Sequence, residues 1–380
     1  MSSEAAAIRC ERETLLAALQ AADAVVPTSS AKPICTNLHL EATAKHLEIT
    51  ATDMQVGLRC IVEQVQIDQP GEIIVAARQL VSILKESRSR DTVLALVRRE
   101  DHSHLTIGLS DGDYQVPAVV GEAFPSVNIF PADAPKIRLS AARCEEMIQQ
   151  VIFAVDRDRT SAVLSGVYLA VGNGECILAA TDGKVLCEAV ERNPAFTIDP
   201  ISVIIPATTV QHLQRILQST KPETVEIAFA GSVIFLRVLS GHATGFVVEL
   251  SSRLVEGNFP PYRNALPASS PNTVTYETAE LASAVRRTAL MTSNTARGIV
   301  MSLENGQALL SNLNYTNGSA KIPVACRYDG AAQRLGVNAQ YLTEVLKVYK
   351  GPSIRIELTR GLIMREEGVT FLIMPISLPT

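Results

Sequence analysis

Tryptophan is absent from this 380-residue chain, aromatic residues make up only 4% of it, and its formal net charge is −5. A nucleic-acid binder of the usual kind is basic, so these deficits argue against one. The total does not settle the matter, because what counts is where the basic residues lie. Paired cysteine motifs are missing too. Cys10, Cys35, Cys60, Cys144, Cys176, Cys187 and Cys326 are odd in number, scattered and without a C-x-x-C pair. That argues against a disulfide framework or a zinc site and for small buried thiols. No apolar run approaches the ~20 residues that span a bilayer, and the opening MSSEAAAIRCERETLL lacks the basic-then-apolar pattern of a secretory signal. A cytoplasmic protein with no membrane partner is expected.

Catalytic constellations are equally scarce. Asp101-His102-Ser103-His104 sets two histidines at strand spacing with no third ligand nearby, which reads as a solvated hairpin rather than a metal site. Asp182 beside Lys184 has no nucleophile and base to work with. Gly172-Asn173-Gly174 is a turn, since no helix follows it as a dinucleotide loop requires. No enzyme activity, cofactor or metal is expected.

What the chain does contain is folded-protein composition, with 47% hydrophobic and 19% charged residues, at a length that suits two to four domains. It also contains one unit three times. Ala51-Thr52-Asp53 recurs as Ala180-Thr181-Asp182, 129 residues later, each after an apolar stretch and entering a turn. The pattern of strand, short turn and amphipathic helix appears as EIIVAARQLVSILKES, SVIIPATTVQHLQRILQS and RLGVNAQYLTEVLKVYK. Aligning Ala76, Pro206 and Asn338 gives offsets of 130 and 132. Another strand follows each time: TVLALV, TVEIAF, SIRIEL. A further strand and helix open each unit, as AAIRC with RETLLAALQAADAV, then PKIRLSAARCEEMIQQVIFAV, then TVTYETAELASAVRRTALMT. The Pro-rich connectors EAFPSVNIFPADAPK and GNFPPYRNALPASSPN place domains at about 1–134, 135–269 and 270–380.

Within each unit the helices carry apolar residues at three-and-four spacing: Leu80, Ile83 and Leu84; Val210, Leu213 and Leu217; Leu342, Val345 and Leu346. The strands mostly alternate. The expected fold class is α+β, with two helices packed on antiparallel sheets in each of three tandem repeats.

Charge is distributed unevenly over six expected helices. Windows 77–90, 209–221, 338–350 and 278–292 carry +3, +2, +1 and +1, while 12–25 and 141–154 carry −1 each. The helices thus sum to +5 and the rest of the chain to −10. Basic residues near helix C-termini also favour the macrodipole and solvate a surface. Gathered on one face, however, they would attract a phosphate backbone without reading bases. The candidates are Arg78, Lys85, Arg88, Arg215, Lys221, Arg286 and Lys347.

Three segments carry a resemblance. ATDGKVLCEAV, GNFPPYRNALP and the terminal FLIMPISL resemble, in order and placement, segments of the beta subunit of DNA polymerase III, the bacterial sliding clamp family. The resemblance implies three similar domains per chain and two chains head to tail. The six domains would form a pseudo-sixfold homodimeric ring whose helices line a hole for double-stranded DNA. It also implies a location with the nucleoid and a processivity role without catalysis. A cleft between the second and third domains would take short linear motifs from the polymerase III catalytic subunit, the clamp loader, other polymerases and repair proteins. Carried over by position, that cleft is Leu164, Thr181, Gly183, Leu186, Pro260, Tyr341, Leu372, Met374, Pro375 and Ile376. Apolar walls supply area, while Gly183 and Pro375 shape backbone near a docked peptide. The chain departs from the pattern at Lys184, Val185, Asn264 and Ser377, which implies a less basic cleft with a shifted motif preference.

The resemblance further places Tyr114 and Val116 on an inter-chain strand and Leu290 and Met291 on the apolar patch opposite. The strand SDGDYQV carries Asp111 and Asp113, while 313–327 carries Lys321 and Arg327 and no acid. The expected charge complementarity is therefore the reverse of the family's habit, favouring self-assembly over foreign clamps. Two other readings stand beside this one. A tandem-repeat enzyme would confine polar catalytic groups to one unit, and none is visible. A peptide-binding repeat scaffold would have no use for DNA.

Overall fold

The computed structural model describes residues 5–97, 103–119, 122–239, 245–267, 269–293, 297–313 and 318–378. Asp101 and His102 of the histidine pair lie outside the described residues, as do 314–317. The described residues form six α-helices: α1 (Arg12–Asp23), α2 (Ala77–Glu86), α3 (Ala141–Val151), α4 (Ala207–Thr220), α5 (Thr278–Ala289) and α6 (Ala339–Val348). Their strands pair antiparallel throughout. None of the helices is long and apolar enough to cross a membrane.

Periodicity explains the elements. On Val56–Val62 every second residue is buried, from Val56 to Val62, as a strand covered on one face requires. Helix α4 buries Thr209, Val210, Leu213, Ile216, Leu217 and Thr220, one stripe at helical spacing. Helix α6 begins where the Asn338 side chain accepts the Gln340 N–H at 2.9 Å, an N-cap bond. Five of the six helices are shorter than their windows, and at α2 the cause lies far along the chain. Ser87 is extended after α2 (ψ 146°). The Asp111 carboxylate takes the Ser87 hydroxyl and the Arg88 N–H, both at 2.8 Å. Arg88 therefore sits beyond its helix. So does Lys221, left-handed at φ 43°.

The chain forms two compact units. The first (1–145 with 208–254) holds an eight-stranded sheet from Lys136–Ser140 to Gly71–Ala76, and a five-stranded sheet with Val65–Ile67 and Gly112–Pro117 at its edges. The second (146–207 with 255–380) holds an eight-stranded sheet from Ile201–Pro206 to Thr273–Glu277, and a four-stranded sheet with Lys321–Ala325 at one edge. Each eight-stranded sheet joins two repeats. Phe246–Arg253 pairs with Val56–Val62 in the first, and Val369–Ile373 pairs with Val185–Arg192 in the second.

Equivalent hydrogen bonds mark the three repeats. Val119, Val255 and Ile376 donate their N–H to the carbonyls of Ile74, Ile204 and Gly336 at 2.8–2.9 Å. The acceptors are spaced by the 130 and 132 residues read from the sequence. Likewise Arg12, Ala141 and Thr278, each opening a helix, donate to Arg90, Glu223 and Pro352 at 2.8–2.9 Å.

A charge ladder crosses the first eight-stranded sheet. Arg138, Glu226, Arg237, Glu249, Arg59 and Glu48 are linked in that order at 2.7, 3.6, 2.7, 3.0 and 2.6 Å. Glu226 and Glu249 are buried, a state that demands pairing, and each has an arginine on both sides. The step from Glu249 to Arg59 spans the junction of two repeats.

Candidate functional site

The candidate cleft lies within the second unit, and its frame is the turn at 181–185. The Thr181 hydroxyl donates to the Val185 carbonyl at 2.7 Å and accepts the Gly183 N–H at 3.0 Å. One oxygen of Asp182 accepts the N–H groups of Lys184 and Val185 at 2.8 and 2.9 Å. Side-chain oxygens thus replace strand partners at the bend. The first repeat builds the same turn from Thr52 and Asp53, with bonds of 2.7–3.0 Å. Gly183 is left-handed at φ 84°, and Met54 stands in its place at φ 75°. Glycine therefore relieves strain here without being obligatory.

The second Asp182 oxygen accepts the Tyr341 hydroxyl at 2.5 Å, tying the turn to α6. Burial first, then the Asp182 carboxylate, hold the Tyr341 phenol above its ordinary pKa. Met374 N–H donates to the Lys184 carbonyl at 2.8 Å and Ile376 N–H to Gly336. The C-terminal segment is thus stitched from the turn to the edge of the four-stranded sheet. Met374, Pro375 and Ile376 are exposed along it. At Gly336 an added Cβ would lie 2.5 Å from the Ile376 carbonyl oxygen, so this close approach needs glycine.

Beneath lies an apolar cluster of Leu186, Ile363 and Leu372, with Tyr262 and Leu266 packed on it. Tyr262 and Arg263 donate to the same Glu188 oxygen at 2.7 and 2.8 Å, which clamps the 259–266 connector onto the sheet. Tyr262 is raised above its ordinary pKa by burial and then by Glu188. Its ring meets Tyr168 and Phe259 at 5.9 Å each. Pro260, exposed, accepts the Tyr262 N–H at 2.7 Å. Leu164, half-buried, sits on a loop organised by Asp156, whose carboxylate takes the Thr160 hydroxyl at 2.6 Å and the Ser161 N–H at 3.1 Å.

The site residues named from the sequence therefore divide by role. Leu186, Leu372 and Thr181 are buried supports, whereas Met374, Pro375, Ile376, Pro260 and Gly183 are on the surface. Asp182, Glu188 and Arg263 organise the site and were missed. Glu188 had a signal, a lone acid inside the apolar strand VLCEAV. Asp182 reads from the sequence as capping its turn, as its bonds from Lys184 and Val185 bear out, but its bond from Tyr341 has no local signal.

The seven basic candidates are all exposed. Arg215 donates to the Ala24 carbonyl at 3.3 Å, at the end of α1, and Lys347 pairs with Glu344 at 2.9 Å.

Family models for the N-terminal, central and C-terminal domains of the DNA polymerase III beta subunit match residues 6–128, 138–261 and 263–377. The chain belongs to the DNA polymerase III beta subunit family. It is 27% identical to the beta sliding clamp of Pseudomonas putida over 374 residues, 97% of this chain and 99% of that one. It is 28% identical to that of Caulobacter vibrioides over 380 residues, 96% and 98% of the two chains. Among solved structures it resembles the Pseudomonas aeruginosa DNA polymerase III beta subunit bound to griselimycin. The TM-score there is 0.85 at 26% identity, over 98% of this chain and 100% of that one.

In this beta-subunit chain the residues read as an inter-chain surface lie at sheet edges and a helix end. Tyr114 is 42% exposed on the outer strand Gly112–Pro117, while Val116 turns inward and is buried. Val116 pairs with Leu105 of the neighbouring strand, so it supports this edge from within rather than facing a partner. Leu290, directly after α5, is 76% exposed, and Met291 is half-buried.

Proposed function

We propose that this chain is a DNA sliding clamp: a non-catalytic processivity subunit that closes around duplex DNA as a head-to-tail dimer. One observation carries the two-chain reading. Three repeats imply three equivalent strand junctions, and the chain closes two of them internally. The strands left for the third are Gly112–Pro117 of the first repeat and Lys321–Ala325 of the last, each at one edge of its sheet. Residues at equivalent places show the difference. Leu250 and Phe371, in the closed junctions, are 1% and 0% exposed, whereas Tyr114 is 42% exposed. A second copy supplies the missing strand at both ends and closes six repeats.

The domains are assigned as 1–134, 135–269 and 270–380. The cleft supports capture of short apolar motifs from the polymerase III catalytic subunit, the clamp loader, and other polymerases and repair proteins. Arg78, Lys85, Arg88, Arg215, Lys221, Arg286 and Lys347 are assigned to the DNA side, where weak backbone contacts permit sliding. The setting is the cytoplasm, at the nucleoid.

The test is loading onto nicked circular DNA, with release on linearisation. Retention that does not depend on circularity overturns the clamp reading. Tyr114→Asp with Leu290→Asp should sediment as monomer, and an intact dimer would remove these residues from the junction.

A further inference from the structure

The third junction has a register that the two closed ones dictate. A line of paired residues runs through each repeat: Ile74, His39, Thr50 and Arg59 in the first; Ile204, Tyr168, Ala179 and Glu188 in the second; Gly336, Val300, Ser311 and Lys321 in the third. Lys321 is thus the counterpart of Arg59 and Glu188. On the other side of each junction the strand runs toward Val119, Val255 or Ile376, the three equivalent donors. Six residues before them stand Asp113, Glu249 and Thr370. Glu249 lies opposite Arg59 and Thr370 opposite Glu188. We infer the register of the two-chain junction proposed above: the strands run antiparallel, with Asp113 opposite Lys321 of the second copy and Gln115 opposite Ser319.

Hydrogen-bond parity agrees. Ala118 donates inward to Ser103, and Cys326 inward to Gly306, so Asp113, Gln115 and Pro117 on one strand, and Lys321, Pro323 and Ala325 on the other, turn their backbone outward. In the closed junctions the bonded parity is the same. Glu63 donates to Gly245 and Val190 to Gly368, which makes Arg59 with Glu249 and Glu188 with Thr370 bonded pairs.

Side chains agree as well. Asp113 and Lys321 are exposed and of opposite charge, in the place where Glu249 and Arg59 form a 3.0 Å ion pair. Asp111 is already engaged by Ser87 and Arg88. The Arg327 backbone pairs with Thr275. On the strands Gly112–Pro117 and Lys321–Ala325 themselves, Asp113 is the one acid and Lys321 the one base. The segment beside Ser319 is held ready by buried Asn312, which donates to the Gly318 carbonyl at 2.9 Å and accepts the Ala320 N–H at 2.7 Å.

Proline fixes the ends. Pro117 and Pro323 have no N–H to give at an outward position. In this register both fall just beyond the run formed by the two bonded pairs. A slip of two residues, setting Asp113 opposite Pro323, brings a proline into that run and removes a bond. The closed junctions contain no proline on either strand.

This inference rests on the two-chain reading, and sedimentation separates the two. Asp113→Lys sets lysine against lysine at both junctions of its own dimer, and Lys321→Asp sets acid against acid. Each alone should dimerise on the order of tenfold more weakly than wild type. Mixing the two variants restores one complementary junction of each polarity, so equimolar mixtures should return to wild-type dimer as obligate heterodimers. A Q115C/S319C chain should oxidise to a covalent dimer, and Q115C/A325C, six residues along the strand, should not. Wild-type monomers would overturn the two-chain reading itself. A wild-type dimer with both charge variants unaffected, or no gain on mixing, would overturn the register alone.

Discussion

Tyr341 donates its hydroxyl to one oxygen of Asp182 at 2.5 Å, while the other oxygen of that carboxylate holds the turn at Lys184 and Val185. The same aspartate therefore links helix α6 of the third repeat to a strand turn of the second. In the first repeat Asp53 occupies the same position and faces His212 of α4 at 3.6 Å. The carboxylate and its reach toward the next repeat's helix are common to both, but the partner differs.

Tyr341→Phe keeps the ring and removes this bond. It should cost about 1 kcal/mol of stability, the ordinary worth of a hydrogen bond. A labelled peptide carrying a short apolar motif should bind several-fold more weakly, because the turn carrying Gly183 loosens. Urea unfolding and fluorescence anisotropy read the two effects. Unchanged anisotropy would detach the turn from peptide binding.

Alkaline pH tests the same geometry. Tyr341 and Tyr262 are both held above the ordinary tyrosine pKa, by burial first and by Asp182 and Glu188 next. A group whose pKa is raised on folding contributes stability that is complete below its unfolded value, about 10 for tyrosine, and is lost as pH rises past it. Urea midpoints should fall above pH about 10, and the Tyr262→Phe, Tyr341→Phe double variant should fall less steeply over that range. Parallel curves would mean that neither phenol is perturbed.

Gly336→Ala probes the C-terminal segment. The new Cβ would meet the Ile376 carbonyl oxygen at 2.5 Å and the Leu378 side chain at 3.0 Å. Backbone must move, at about 1–3 kcal/mol, and the bond from Ile376 N–H to the Gly336 carbonyl goes with it. Met374, Pro375 and Ile376 then lose their fixed position. The expected outcome is a larger loss in peptide affinity than in urea stability. Equal affinity would place the docked peptide away from this segment.

The threefold repeat and the fold class were legible because periodicity is a property of the chain itself. Ala76, Pro206 and Asn338 align at the spacing that the hydrogen bonds to Ile74, Ile204 and Gly336 reproduce. Helix ends were less legible. The window 77–90 looks helical, but Ser87 and Arg88 are claimed by Asp111, a residue 24 positions from Ser87 and invisible to local pattern. The apolar residues assigned to the cleft come from family resemblance, which does not point to Glu188 or Arg263. Their importance comes from meeting across 75 residues of sequence. At the proposed third junction the sequence offers acids in one segment and bases in the other. Which of them face a partner depends on strand parity, and that needed the paired strands of the other two junctions.

The basic residues call for a test that separates affinity from enclosure. Arg78 and Arg286 are exposed, one on α2 and one on α5. If they meet the phosphate backbone, each contact releases counterions, and initial binding should weaken steeply with salt. Once a ring is closed, escape from a circle requires a junction to open rather than phosphate contacts to break. Arg78→Glu with Arg286→Glu should therefore slow loading onto nicked circular DNA several-fold and lower its salt sensitivity, while the half-life of clamps already loaded stays within about twofold of wild type. Loading by the clamp loader, followed by gel filtration at stepped salt, measures both quantities. A half-life that falls with the loading rate would mean that charge, rather than closure, keeps the chain on DNA. An unchanged loading rate would remove these two arginines from the DNA side.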